Sequence, residues 1–549
     1  MKMYSPAMGA QVNHLALSYP VPRTRWLRPA LGAALLAPPT LASAQGAAPP
    51  PILRQVTISR QGIFDSAEVT GWMPRLVNRL HRTTRASVVD RELLFRAGEP
   101  YDSARIAESA RNLRALGLFR RVEIDTVTTA EGLTARVATG DGWSTDLGAT
   151  LQQGNQGVAW SGELMEENLL GTGARLLTKL SDDVDRTTVH LEFSRPRLIA
   201  DRIGAALAFE HRSDGRQYAA TITRPFRSVS EGFGAGLSVR HFDGRLLGYV
   251  NGATVPRDTV ERRATSVHGY LSGSTRAEPQ GYLRVGGVVR IQREEHAARN
   301  PALRRPTETV VAIGPTLEWR RVRFLVTRGF QGLLQAEDVD VGLRVRAELL
   351  MAPRWLGSDR SGIGSSVSLR LGAIVPAGFA QLEGRIGGLL RGGAVDSGTV
   401  RIGGTASFGP GRTRHRLMLH GERSWARGPA LGREFELGYT DGLRGFRAHA
   451  FTGDRAWFAT AEYRFTLSGE IGKLSALGVA AFIERGGAWF QGSPARTGTD
   501  AGVGLRLGST RRADVRASRI DLVRRFASDV ERAGWVIVVG KGFTFGSIE

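Results

Sequence analysis

Three consecutive side chains, Glu294, Glu295 and His296, are the densest local group able to hold a metal, but they read more simply as a charged turn. The minimal motifs of the common enzyme classes are missing. There is no His-Glu-x-x-His of zinc proteases, no P-loop lysine motif and no Gly-x-Ser-x-Gly of common lipases. The ten histidines are scattered, and Gly171-Thr172-Gly173 is too short for a dinucleotide fingerprint and fits a turn between strands. Cysteine is absent, which removes disulfides, thiolate zinc sites and cysteine nucleophiles together. The expectation is a protein that is not an enzyme and uses no cofactor or metal.

The elements that would carry any other function follow from bulk properties. At 549 residues the chain should hold at least two structural units. Glycine, at 69 residues, has about twice its usual share, which suits many tight turns. No internal run offers about 20 apolar residues for a membrane-crossing helix. Barrel strands escape that test, because each crosses on about 10 residues of which only alternate ones need be apolar. The formal charge of +22 is carried by arginine, only Lys2, Lys179, Lys473 and Lys541 being lysines. Genomic composition bias and attraction to anionic lipid headgroups or an acidic partner both fit. Nucleic acid fits poorly, since the arginines are spread along the chain rather than gathered beside stacking aromatics.

At the N-terminus, residues 23–28 (RTRWLR) are basic, residues 30–37 (ALGAALLA) are apolar, and Ala42-Ser43-Ala44 offers a small-residue cleavage site. Residues 1–44 therefore read as a signal peptide and 45–51 as a linker. From 52 to 140 the pattern is α/β. A strand at 52–60 is followed by a short helix at Val88–Phe95. A second helix, capped by Asp102, carries Ile106, Ala110, Leu113 and Leu116 as an apolar stripe and stops at Gly117. Two runs of period two then follow, around Val122 and Ile124 and around Leu133, Ala135 and Val137. This order, with "RNLRALGLFRRVEI" at 111–124, resembles a polypeptide-transport-associated (POTRA) domain. Residues 61–85 exceed the usual spacing and could add an amphipathic helix bearing Trp72, Leu76, Val77 and Leu80.

After Trp143 only alternating runs remain, among them Val158–Glu166, Thr188–Ser194, Ile203–His211 and, most regular, Val339–Leu349. The closing stretch 535–545 (WVIVVGKGFTF) places Trp535, Ile537, Val539, Phe543 and Phe545 on one face, expected to meet lipid, and Gly540, Gly542 and Thr544 on the other. It resembles the C-terminal targeting signal of outer-membrane barrels, with Gly540, Phe543 and Phe545 in place, although Val538 stands where a polar residue is typical. A soluble sandwich or propeller is disfavoured by so long a run of strands without a bladewise repeat.

Two phrases sharpen the reading: ENLLGTGARL at 167–176, and DGLRGF at 441–446 before the strand RAWFATAEYRF at 455–465. Together with the POTRA-like segment they resemble the BamA/TamA superfamily of outer-membrane assembly and transport proteins. The resemblance implies a mainly β fold: a transmembrane antiparallel β-barrel of about 16 strands over 143–549, preceded by one small α/β periplasmic domain. Five runs follow the motif, as that architecture requires. About fifteen precede it where eleven are expected, and sixteen is kept as the expectation. The resemblance further implies that Leu443, Arg444, Gly445 and Phe446 tip a loop folded into the lumen, with the arginine on acidic wall residues. Glu484, in FIERGGAWF where the family usually carries Asp, is the candidate partner of Arg444. It implies a weak seam between the first and last strands, near 143–152 and 534–545. The implied partners are unfolded outer-membrane or secreted proteins, membrane lipids, and periplasmic chaperones or accessory lipoproteins. A dedicated secretion pore, a passive channel and a structural or lipid-binding barrel stand as alternatives.

Overall fold

The computed structural model describes residues 50–543 apart from 65–68, 70–71, 155–156, 200–201, 230, 251, 254, 279, 410–413, 430–431, 440, 468, 473 and 513–515. The expected signal peptide with Ala42 and Ala44, most of the expected linker, and Phe545 lie outside the described residues.

The α/β domain runs β1 (Leu53–Gln61), α1 (Trp72–Leu80), α2 (Ala86–Glu92), α3 (Ser103–Ala115), β2 (Phe119–Thr129) and β3 (Gly132–Asp141). Asp102 starts α3 by accepting from the backbone N–H groups of Ala104 (2.8 Å) and Arg105 (3.2 Å), a cap worth about 1 kcal/mol. The sheet order is β1-β3-β2, with β1 parallel and β2 antiparallel to β3. Val89, Leu93, Phe95, Ile106 and Leu113 from the helical side close over Leu53, Ala135 and Val137. The surplus segment does form a helix, α1, which leaves Trp72 and Leu76 exposed.

The rest of the chain closes into one antiparallel barrel of twenty strands, from β4 (Thr145–Gly154) to Gly534–Lys541. Twenty corrects the expected sixteen. Fifteen strands precede the loop bearing Leu443–Phe446 and five follow it, so the surplus alternating runs were separate strands rather than broken long ones. Strand Gly215–Arg224 shows why the wall forms: Tyr218 and Ile222 point outward and are exposed, while Gln217, Ala219 and Thr221 turn inward. An outer surface of exposed leucine, isoleucine, valine and tryptophan is what a hydrocarbon solvent requires. Closure leaves no backbone edge unpaired in lipid except where a seam is short. Glu294, Glu295 and His296 lie within strand Gly281–Ala298, not in a turn, because Glu294 ion-pairs with Arg262 of the neighbouring strand. Among the described residues no group of three or more metal-capable side chains forms.

The phrase ENLLGTGARL joins the two bodies. It spans the tight turn between β5 (Gly157–Leu169) and β6 (Ala174–Asp182). Gly171 there has φ +73°, and a Cβ would lie 2.7 Å from the carbonyl oxygen of Thr83, so only glycine lets the two bodies approach. The Gly171 carbonyl accepts from the Arg85 N–H at 3.0 Å. Asn168 donates to the Thr84 hydroxyl (2.8 Å), and that hydroxyl and the Thr84 N–H both donate to the buried carboxylate of Asp141.

A second insert was not foreseen. The alternating run Val339–Leu349 belongs to two elements: the end of a hairpin, Phe324–Arg328 paired with Ala336–Asp340, and the start of barrel strand Leu343–Ala352. The hairpin leaves the wall at the end nearest the α/β domain and crosses that mouth. Its tip is held by Glu337, whose carboxylate accepts from the N–H groups of Phe330 (3.1 Å), Gln331 (2.8 Å) and Gly332 (3.2 Å). Phe330 packs against Phe379 and Phe543, with ring centroids 4.9 and 5.3 Å away. Leu333 meets Ala476 and Ala517 on the far wall. Phe543 is therefore drawn into this inner cluster and not onto the lipid face. The chain turns at Gly542 (φ +70°), which breaks the alternation before Phe543. Arg114 of α3 pairs with Asp338 of the hairpin at 2.7 Å. Replacing residues 324–340 by a short glycine-serine linker should raise single-channel conductance in planar bilayers severalfold. An unchanged conductance would show that the hairpin does not obstruct the lumen.

Candidate functional site

The loop between strands His415–Arg427 and Arg455–Thr466 enters the lumen from the end opposite the α/β domain. A short ladder, Phe435–Leu437 with Phe451–Gly453, forms its stem. Leu437, Leu443, Phe446, Ala450 and Phe451 pack with Phe458 and Ala488 of the wall, an apolar plug inside the lumen.

At the tip, Arg444 is 2% exposed and touches three carboxylates. Its Nε lies 2.9 Å from Glu484, one terminal nitrogen 2.9 Å from Asp521 and the other 2.8 Å from Glu462. The guanidinium also sits 3.7 Å from the Phe482 ring centroid. The backbone takes part, since Arg444 N–H donates to Glu484 (3.0 Å) and Gly445 N–H to Asp500 (2.9 Å). A Cβ on residue 445 would meet the Asp500 Cβ at 3.0 Å and Val523 at 3.2 Å, which explains the glycine after the arginine. Leu443 and Phe446 are fully buried beside it. Three wall arginines interleave with the same acids: Arg464 with Glu462 (2.6 Å), Arg506 with Glu462 and Asp521 (2.9 and 2.5 Å), and Arg519 with Asp521 (2.8 Å).

Glu484 was singled out from the sequence, whereas Glu462, Asp500 and Asp521 were not. The signal was available in the period of two. Tyr463, Ile520 and Leu522 face outward, so Glu462, Arg464, Arg519 and Asp521 must face inward. Gly540 is buried on the inner face, where a Cβ would come within 3.1 Å of Arg519.

The same tip reaches the line where the barrel closes. The first and last strands share three registered pairs, Leu151 with Val539, Gln152 with Val538 and Gln153 with Ile537. The last strand shares eight with its other neighbour, Ser518–Arg525. Along Thr145–Thr150, β4 has no registered partner on the seam side among the described residues. That open half is bridged by side chains instead, since Asp146 ion-pairs with Lys541 across the seam and with Arg512. Gln152, at the middle of the paired stretch, donates to the Phe446 carbonyl at 3.1 Å. Arg525 donates to the Gly445 carbonyl at 2.9 Å.

No family model matches the chain. Over 176 residues it is 29% identical to outer membrane protein assembly factor BamA of Neisseria meningitidis serogroup B. This barrel is similar to those of the BamA/TamA superfamily. The matched stretch covers 30% of this chain and only 22% of that relative's length. Among solved structures, BamA from Haemophilus ducreyi lacking POTRA domains 1–3 aligns at TM-score 0.41 and 11% identity, over 89% of this chain and 84% of that one. CdiB from Escherichia coli aligns at TM-score 0.44 and 11% identity, over 92% and 93%.

Further out, the loop is pinned by His449. Its ring stacks on Tyr249 at 3.8 Å, its Nε2 lies 3.0 Å from Asp185, and its Nδ1 lies 3.1 Å from Glu436. Burial works against a charged imidazole, but the contacts to Asp185 and Glu436 outweigh it and hold the pKa up at about 9.

Two outcomes are expected. Arg444→Ala leaves Glu484, Glu462 and Asp521 without their shared cation, so folded, heat-resistant barrel should fall by about 3–5 kcal/mol of stability. Glu484→Gln added to it should restore part of the loss on semi-native gels. Losses that simply add would contradict a shared network. For His449 the folded pKa is raised, so its contribution is complete below the unfolded value of about 6.5 and disappears as pH rises through about 9. Thiol labelling at Ala448→Cys, in a chain with no native cysteine, should accelerate over that interval by more than ionisation of the thiol itself accounts for, and this excess over a free-cysteine control should vanish in His449→Gln.

Proposed function

We propose that the protein is an outer-membrane barrel that inserts client polypeptides into the membrane or passes them across it. The observation that carries this reading is the seam. Three registered pairs close it, and the half of β4 nearest the α/β domain lacks a strand partner there. A client strand that pairs with that edge satisfies backbone groups which would otherwise be stranded in lipid. The loop tip bears directly on the seam through Gln152, so its ion network sets how firmly the barrel closes.

In this reading residues 1–44 are an export signal cut after Ala44, and 45–51 are a linker. Residues 52–140 form a POTRA-like domain in the periplasm, and 143–549 form the barrel in the outer membrane. The edge strands of the small domain's sheet are β1, whose start is covered by backbone hydrogen bonds linking Pro51 and Leu53 with Gly98, Glu99 and Tyr101, and β2, on which an extended chain can add as a further strand. Clients would be unfolded outer-membrane or secreted proteins, delivered by periplasmic chaperones or accessory lipoproteins. The chemistry is strand exchange and needs no catalytic group.

A dedicated secretion pore is the second reading, favoured by the twenty-strand girth and by a hairpin that could act as a displaceable stopper. Conditional depletion followed by quantitative proteomics of the outer membrane separates the two. Broad loss of other barrels is expected for an insertion factor. Loss of one exported protein alone would favour the pore, and no loss at all would refute both.

A further inference from the structure

Away from the lumen, a cavity of about 300 Å³ opens where the α/β domain meets the barrel. Four arginines and one carboxylate line it: Arg96 and Arg105 from the domain, and Arg202, Arg227 and Glu231 from two inter-strand turns of the barrel. Such an excess of positive charge needs a counter-ion, and most local carboxylates are already committed. Arg96 is met by Asp90 at 3.2 Å and Arg105 by Glu99 at 3.0 Å. Glu231 takes Arg224 (3.1 Å) and the Arg227 N–H (2.5 Å). The nearby Glu92 is buried and held by Arg197 at 2.9 Å.

Two cations are left over. Arg202 is exposed and has no side-chain partner among the described residues. Arg227 donates to the Arg91 carbonyl at 2.6 Å, but its Nε is buried with no acceptor among the described residues. Burial, and then the neighbouring Arg197, depress the Arg227 pKa, so an anion in the cavity would relieve both the missing hydrogen bond and the crowded charge. Guanidinium groups in a partly closed pocket are suited to phosphate oxygens, which accept forked hydrogen bonds.

Position points to the source of the phosphate. The cavity sits at the rim where the apolar outer wall ends. Leu198 and Ile199 are exposed just before Arg202, and Phe233 is exposed with Arg224 lying 3.7 Å from its ring centroid. Apolar side chains above and arginines below are the sequence of environments that an acyl chain and its headgroup meet at a membrane surface. We propose that this cavity binds a phosphate group presented by the headgroup of an anionic phospholipid, and that the lipid thereby ties the small domain to the membrane-facing rim of the barrel.

The test is native mass spectrometry of the full-length protein after exchange into detergent with added phosphatidylglycerol. The wild type is expected to retain a phosphatidylglycerol molecule, and Arg202→Gln to lose it severalfold. Arg202 is exposed and has no side-chain partner among the described residues, so this variant should fold; Arg227→Gln, checked for heat-resistant mobility, should lower retention further. Lipid that resists displacement by excess inorganic phosphate supports the headgroup as source. Displacement by phosphate, weakened in Arg202→Gln, keeps the phosphate site but assigns it to the free ion. Equal retention in wild type and both folded variants, with inorganic phosphate binding none of them, would overturn the proposal.

Discussion

A guanidinium cannot be left alone in a confined interior, and Arg444 is met there by three carboxylates drawn from three different strands. The requirement organises the end of the chain. Glu462, Glu484 and Asp521 must all face inward, which fixes the inside and outside of their strands, because a slip of one residue would send each acid into lipid. Removing two charges from water rarely stabilises a protein outright. What such a network provides is uniqueness, since only one loop position satisfies Arg444, the Gly445 N–H and three interleaved arginines at once.

The lumen is also filled from the other end. The hairpin tip reaches the same network, because Arg464 donates to the Phe330 carbonyl at 2.8 Å while it pairs with Glu462, the partner of Arg444. A chain of contacts thus runs from α3 through Arg114 and Asp338 to the hairpin, then through Arg464 and Glu462 to the loop tip and the seam. These are physical contacts between elements that enter from opposite mouths.

Much of this was legible in the sequence where period two governed. Four of the last five strands fall within about two residues of where alternation placed them and the fifth, expected over 534–545, ends at Lys541; the first barrel strand lies close to its expected span, and the surplus helix α1 was readable from its apolar spacing. The strand count was also present as fifteen runs before the loop. The family architecture argued it down to sixteen in total, and the local pattern was the better guide. The hairpin stayed hidden because its second strand and the barrel strand after it, separated by Val341 and Gly342, share one unbroken alternation at Val339–Leu349. Nothing local marks where a ladder changes partner. Phe543 was misplaced for a related reason, as a positive φ at Gly542 reset the alternation just before it.

The seam has a further meaning for the chain's own history. Every other barrel contact joins strands that are neighbours in sequence or separated by a single insert, whereas Leu151 and Val539 are 388 positions apart (539 − 151). Bringing such distant segments together carries the largest loop-closure entropy in the barrel, and only three registered pairs reward it. A sheet can therefore grow strand by strand along the chain and remain open until the end, with ring closure as its final and most reversible event. The joint this protein would offer to another chain is the one it completes last in itself.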